Sequence, residues 1–239
     1  MAMTLVTALR TLFCVLGCLM VATLLYTISI DGLPFRKELL TPWMAATLID
    51  FYINVIALGV WVSYKESSWI STLIWVVLLV CFGSITTCCY ITLQFLKLST
   101  EESSQDPIYY VLVRHPIKDC MENKRRFSVV MARIFFSILG CLMLGVLVYT
   151  VLTVGSPFHK EVFTPWMVAT TIDFYINVVA LSVWVAYKEP SWTNAFFWIV
   201  LLICFGSIIT SVYVVRQLFY LSPQDPVYLI LINSSNRQV

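Results

Sequence analysis

TPWMAATLIDFYINVIALGVWVSYKE, residues 41–66, is a mostly apolar run with an acid inside it. Its length suits a bilayer crossing, which takes roughly 20 residues as a helix. Trp43, Thr47, Asp50, Asn54, Ala57, Trp61 and Tyr64 follow one another at alternate steps of four and three. That spacing puts them on one helical face, with Ile, Val, Leu and Phe on the others. The stretch predicts a membrane-spanning helix with a single polar stripe and Asp50 near its middle. An ionisable residue inside a span is costly and marks a functional site by default. The plainer reading is that Asp50 and Asn54 join helices by hydrogen bonds across a bundle.

Residues 164–189 repeat the stretch as TPWMVATTIDFYINVVALSVWVAYKE. Trp166, Thr170, Asp173, Asn177, Ala180, Trp184 and Tyr187 carry the same stripe unchanged. With a register offset of 123, about 40 of 65 positions match between residues 34–98 and 157–221, the mark of an internal repeat. Upstream, Arg10, Gly17-Cys18-Leu19-Met20 and Tyr26-Thr27 recur as Arg133, Gly140-Cys141-Leu142-Met143 and Tyr149-Thr150. The first apolar segment therefore reads as a retained helix rather than a signal peptide, because its counterpart is internal. A third helix is expected from about Trp69 to Lys97, with Ser84, Thr87, Cys88, Ile91 and Gln94 on one face. Gly83-Ser84 suits close helix approach there. Its copy carries Gly206-Ser207, Thr210, Ser211 and Gln217. The chain divides into a first three-helix repeat (1–98), a basic polar linker with a short apolar segment (99–127), a second three-helix repeat (128–221) and a tail (222–239).

Composition fits this picture. The 239 residues are 60% hydrophobic and 12% charged, about half the charge of a soluble domain. A net charge of +2 is too small to suggest nucleic acid. Seven of the eight cysteines sit in apolar runs, where Cys acts as a small hydrophobe; Cys120 alone lies in a polar loop. His115 and His159 lack ligand-like companions, so neither a metal site nor a cofactor is expected. The segments 107–113 and 226–232 are apolar but too short to span, and suit a short strand or an interfacial piece.

Counting three spans per repeat makes the second repeat enter the membrane from the opposite side. The expected fold is an all-α integral membrane protein of six spans, built as two inverted three-helix repeats. Arg36, Lys37, Arg114, Lys118, Lys124, Arg125, Arg126 and Lys188 would share one side; Arg10, Lys65, Lys160 and Arg237 would share the other. The linker side is then cytoplasmic and both termini lumenal or extracellular. The triplet Asn233-Ser234-Ser235 would face the glycosylating compartment.

The candidate site gathers Asp50 and Asp173, acids if the protein is an enzyme, with Asn54, Asn177, Thr47, Thr170, Trp61, Trp184, Ser84, Ser207, Gln94 and Gln217 for binding. Trp43 and Trp61 equally suit interfacial anchors.

Asp50-Phe-Tyr-Ile-Asn54 leading to Trp61-Val-Ser-Tyr-Lys65-Glu66 resembles small bacterial three-helix membrane proteins of unknown function. The doubled form resembles a plant multi-pass membrane family of unknown function, over nearly the whole chain. Some relatives are likened to fungal membrane-bound terpene cyclases, and that resemblance implies intramembrane acids at Asp50 and Asp173 protonating a lipophilic substrate. Tyr52, Trp61, Tyr175 and Trp184 would then stabilise a cation. Binding or transport of a small or lipophilic solute is expected first, because inverted repeats bring equivalent polar positions together near the midplane. Acid catalysis and a purely structural or assembly role are the alternatives. The lipid bilayer is the expected surrounding, and six spans are few enough to leave room for a homodimer.

Overall fold

The computed structural model describes residues 2–114, 128–156 and 163–233. His115, Cys120, His159, the basic run of the linker and the chain beyond Asn233 lie outside the described residues. Ten α-helices, two 3-10 turns and no strand are found among the described residues. The α-helices are α1 (Ala2–Asp31), α2 (Pro42–Lys65), α3 (Trp69–Phe82), α4 (Ser84–Leu96), α5 (Thr100–Ser104), α6 (Pro107–Leu112), α7 (Val129–Val154), α8 (Pro165–Lys188), α9 (Trp192–Phe205) and α10 (Ser207–Phe219). Four of them, α1, α2, α7 and α8, are long and apolar enough to cross a membrane.

The two polar-striped helices start as their sequence dictates. Thr41 Oγ1 accepts from the Met44 N–H at 3.2 Å, with Pro42 at the first helical position where its missing N–H costs nothing. Thr164, Pro165 and Met167 repeat the cap at 3.2 Å.

The expected third span is not one helix. α3 and α4 meet at Gly83 and fold back on each other. Trp75 and Tyr90, fifteen positions apart, bring their ring centroids to 4.9 Å, and Thr86 Oγ1 donates to the Leu78 carbonyl at 2.9 Å. A continuous helix would hold positions that far apart about 22 Å away from each other. Gly83 makes the reversal at φ +50°, a conformation that side chains other than hydrogen resist. Gly206 does the same at φ +54° between α9 and α10, where the Trp198 and Tyr213 rings lie 5.1 Å apart. In each hairpin the first arm is outer and, beyond its first turn, apolar all round. Trp69, Leu73, Ile74, Val77 and Val80 of α3 are exposed, as are Trp192, Phe196, Phe197 and Val200 of α9. The second arm is inner and buries its Ser, Thr, Tyr and Gln face.

The direction of every element follows from these contacts. α3 runs back along α2, with Tyr52 Oη donating to the Val80 carbonyl at 3.5 Å. α4 then returns to the C-terminal end of α2, where Tyr90 Oη donates to Glu66 at 2.8 Å. α1 lies antiparallel to α4, since Arg10 donates to the Phe95 carbonyl while Gly17 faces Cys88. α7 pairs with α10 likewise, through Arg133 on the Leu218 and Leu221 carbonyls and Gly140 against Ser211. Tyr64, ending α2, stacks at 5.6 Å on Tyr228, and Tyr187, ending α8, donates to Asp106 at 2.8 Å. So α2 and α8 run parallel, and both finish at what we call the linker end. The α1–α2 turn marks the opposite, loop end, where Trp166 Nε1 donates to the Gly32 carbonyl at 3.2 Å.

Each repeat thus contributes two long helices and a hairpin that enters and leaves at the linker end. The number of full-length passes per repeat is even, so the second repeat runs in the same direction as the first. The expectation of six spans with an inverted second repeat does not fit this path.

The short apolar segments are helical rather than extended. α6 is capped by Asp106, whose Oδ1 accepts from the Tyr109 N–H at 3.2 Å, and its counterpart in the tail is a 3-10 turn over Val227–Leu231. Both are held by lysines that end the striped helices. Lys65 Nζ donates to the Tyr110 and Val113 carbonyls at 2.6 Å each, and Lys188 Nζ donates to those of Leu229 and Ile232.

Candidate functional site

Gly83 stands at the N-cap of α4, and its positive φ demands glycine there. Glycine brings no side chain to cap the helix it precedes. The same holds for Gly206 and α10. Both helices begin inside the protein, where unpaired N–H groups are costly. The missing acceptors come from the other repeat. Asp173 of α8 accepts from the Ser84 N–H at 2.7 Å, and Asp50 of α2 accepts from the Ser207 N–H at 2.8 Å. Each carboxylate also faces the positive end of a half-helix dipole, the favourable place for negative charge.

One turn further along, the exchange is repeated. Thr87 Oγ1 donates to Asn177 Oδ1, and Thr210 Oγ1 donates to Asn54 Oδ1, both at 2.8 Å. These contacts are reciprocal, as a two-fold relation between the repeats requires: each repeat supplies the acid and amide that the other repeat's inner arm needs. The hairpin tips are correspondingly tight. A Cβ on Gly83 would meet Phe51 Cζ at 2.7 Å and Asp173 Oδ1 at 2.9 Å; on Gly206 it would meet Phe174 Cζ and Asp50 Oδ1 at the same distances.

The crossed network leaves polar atoms over. Asn54 and Asn177 are 0% exposed, and their Nδ2 groups have no partner among the described residues. The Ser211 hydroxyl is also buried and unpaired.

Of the residues expected at the site, Asp50, Asp173, Asn54, Asn177, Ser84 and Ser207 come together, the serines through their backbone N–H. Others go elsewhere. Thr170 donates back to the Trp166 carbonyl of its own helix at 2.9 Å, and Thr47 takes no part in the hydrogen bonds of the crossed network. Trp61 donates to the Leu112 carbonyl at 3.1 Å and sets its edge to Tyr90, while Trp184 packs on Tyr213. Gln217 turns to Glu189 at 3.3 Å, and Gln94 lies beside Tyr90.

These last residues belong to a second polar cluster, nearer the linker end and not foreseen. Glu66 accepts from Ser71 Oγ at 2.6 Å and from Tyr90 Oη. Glu189 accepts from Tyr213 Oη at 2.9 Å, from Gln217 and Asn194, and from Arg216 Nη1 at 3.2 Å. The signal was the identical Lys-Glu pair closing both striped helices, which looks like an ordinary polar turn. Among the described residues no three of His, Cys, Asp or Glu come together as metal ligands.

Fold and site together define a helical membrane protein made of two repeats, interlocked by exchanged carboxylates. The chain belongs to the family described as Protein of unknown function (DUF1475), which matches residues 2–119 and again residues 100–238. The two overlapping matches agree with a repeated unit. No curated protein and no solved structure matches the chain.

Proposed function

We propose that the protein sits in a membrane with four full spans and two re-entrant hairpins, and that it binds a small solute and passes it across. The supporting observation is the pair of hairpin tips inside the molecule, each closed by a carboxylate of the other repeat. Backbone reversals at membrane depth are tolerated only where protein buries them or where they line a polar path. Half-helix ends meeting charged groups near the midplane are the usual construction of solute sites in transporters, in parallel as well as inverted repeats. Hairpin arms of 14 and 13 residues reach about 20 Å, past the middle of a core about 30 Å thick without crossing it.

The linker end is assigned to the cytoplasm. Among the described residues Arg10, Lys65, Lys97, Arg114, Arg133, Lys188 and Arg216 stand there. Among the described residues only Arg36 and Lys37 belong to the loop end, and such an excess marks the cytoplasmic side. Both termini then come out cytoplasmic, opposite to the expectation from six spans, and Asn233 stays away from the glycosylating compartment. Lipid covers the outer arms α3 and α9.

Acid catalysis draws less support. Asp50 and Asp173 are engaged with backbone N–H groups. The rings expected to stabilise a cation are dispersed, with Tyr52 and Tyr175 bonded to outer-arm carbonyls.

The test is reconstitution of wild-type and Asp50→Asn/Asp173→Asn protein in liposomes, followed by flux of a panel of small ions and neutral solutes. Passage of a panel member by wild type, changed by the double substitution, is the expected result. Vesicles no leakier than protein-free ones to every member would sink the proposal.

A further inference from the structure

Resting on the solute-passage reading, we infer that the solute is a small anion, held at the half-helix starts that Asp173 and Asp50 now occupy. α4 and α10 each begin in the interior with a first turn that their own N-cap glycine leaves uncapped. A helix start carries roughly half a positive elementary charge together with its free N–H groups, which makes it a ready anion site. In the structure that place is filled by a carboxylate on a tether from the other repeat, through the N–H of Ser84 or Ser207.

A second observation stands apart from the helix ends. The Asn177 amide lies against the first turn of α4 through Thr87, and the Asn54 amide lies against α10 through Thr210. Both are fully buried, and in both the atom left without a partner among the described residues is the donor Nδ2. Buried donors left over in this way call for an acceptor.

The chemistry of the donors selects the ligand. A cation needs carbonyl or carboxylate oxygens around it. Here the Asp173 and Asp50 carboxylates are drawn to backbone N–H groups, and the unpaired amide nitrogens repel a cation. A hydrocarbon offers nothing to an amide or to a helix start. A compact, acceptor-only anion of carboxylate size satisfies both. The aspartate is then a tethered stand-in for the solute, and the asparagine amide is the second hold on it. Phe51 and Phe174, close against the tips, keep the place small.

Asp173→Ala removes the stand-in and leaves Ser84 and Asn177 in place. The full-length variant is heated in detergent with gluconate, with formate at equal ionic strength, or with formamide as the neutral counterpart of formate. The variant should lose roughly 4–8 °C of Tm in gluconate, formate should restore more than half of that, and formamide should restore none. Equal effects of formate and formamide overturn the inference, as does a protein that stays unfolded in all three.

A second measurement separates this inference from the reading it rests on. Wild-type proteoliposomes are tested with nitrate, potassium and glycerol. Nitrate passage about tenfold above protein-free vesicles, reduced by Asn54→Ala/Asn177→Ala, is expected for a solute site of this kind. Passage of potassium or glycerol alone overturns the anion and leaves the solute reading standing. Passage of none overturns both.

Discussion

Asp50 and Asp173 act first as helix caps supplied from a distance. A cap accepts a hydrogen bond and adds charge, and the two contributions can be separated by substitution. Asp173→Asn keeps an acceptor for the Ser84 N–H and should cost about 1 kcal/mol. Asp173→Leu leaves that donor buried and unpaired, and should cost about 2–4 kcal/mol. Thermal unfolding in detergent compares them; equal losses would mean that the carboxylate does not cap α4. The glycines give a sharper contrast. Gly83→Ala puts a methyl group against Phe51 and Asp173 at a positive φ, so it should cost more than about 4 kcal/mol and abolish folded protein. Gly59, inside α2, has nothing within 4 Å of an added Cβ, and Gly59→Ala should be neutral or stabilising by up to about 1 kcal/mol. Expression and Tm of the two variants side by side make the measurement.

At the scale of elements, the stripe of α2 and α8 was legible because 3.6-residue periodicity and the repeat reinforce each other. The acids, the asparagines and their Ser and Thr partners could be named from sequence for that reason. The hairpin could not. Residues 69–97 form an apolar run long enough to span, and hydropathy carries no information about direction. Gly83-Ser84 reads equally well as a close-packing patch and as a reversal; the contacts of Trp75 with Tyr90 and of Thr86 with Leu78 separate the two. Trp61 and Trp184 share a helical face with the acids, and Gln94 and Gln217 share one with Ser84 and Ser207, yet all four lie at the depth of Glu66 and Glu189. A face records angle around the axis and leaves depth open. The segments at 107–113 and 226–232 were ambiguous because their anchors, Lys65 and Lys188, sit some 40 residues upstream. Lys65→Met tests that anchoring. It withdraws the donor from the Tyr110 and Val113 carbonyls at the end of α6. Amide hydrogen exchange should then rise across residues 107–113 and stay unchanged in α1 and α7. Unchanged protection of α6 would show that the lysine is a bystander.

At the scale of the molecule, parity decides the topology. A chain with three spans per repeat puts the linker and the termini on opposite sides of the membrane. Two spans and a re-entrant hairpin per repeat put them on the same side. The distribution of Lys and Arg among the described residues agrees with the second case once α3–α4 and α9–α10 are read as hairpins, since the linker end then collects all but Arg36 and Lys37. The contacts at the ends of the striped helices point the same way. Tyr64 on Tyr228 and Tyr187 on Asp106 end α2 and α8 at the same side of the molecule, so the two striped helices descend together, which oppositely directed repeats cannot do. An epitope placed within residues 115–127 and another ahead of α1 should therefore be reached by antibody only after the plasma membrane, or the organelle membrane, is permeabilised from the cytosol. A third, replacing exposed Phe35 in the α1–α2 turn, should be reached from the opposite face. If the linker and Phe35 epitopes share a side, the hairpins are true spans and the repeats are inverted.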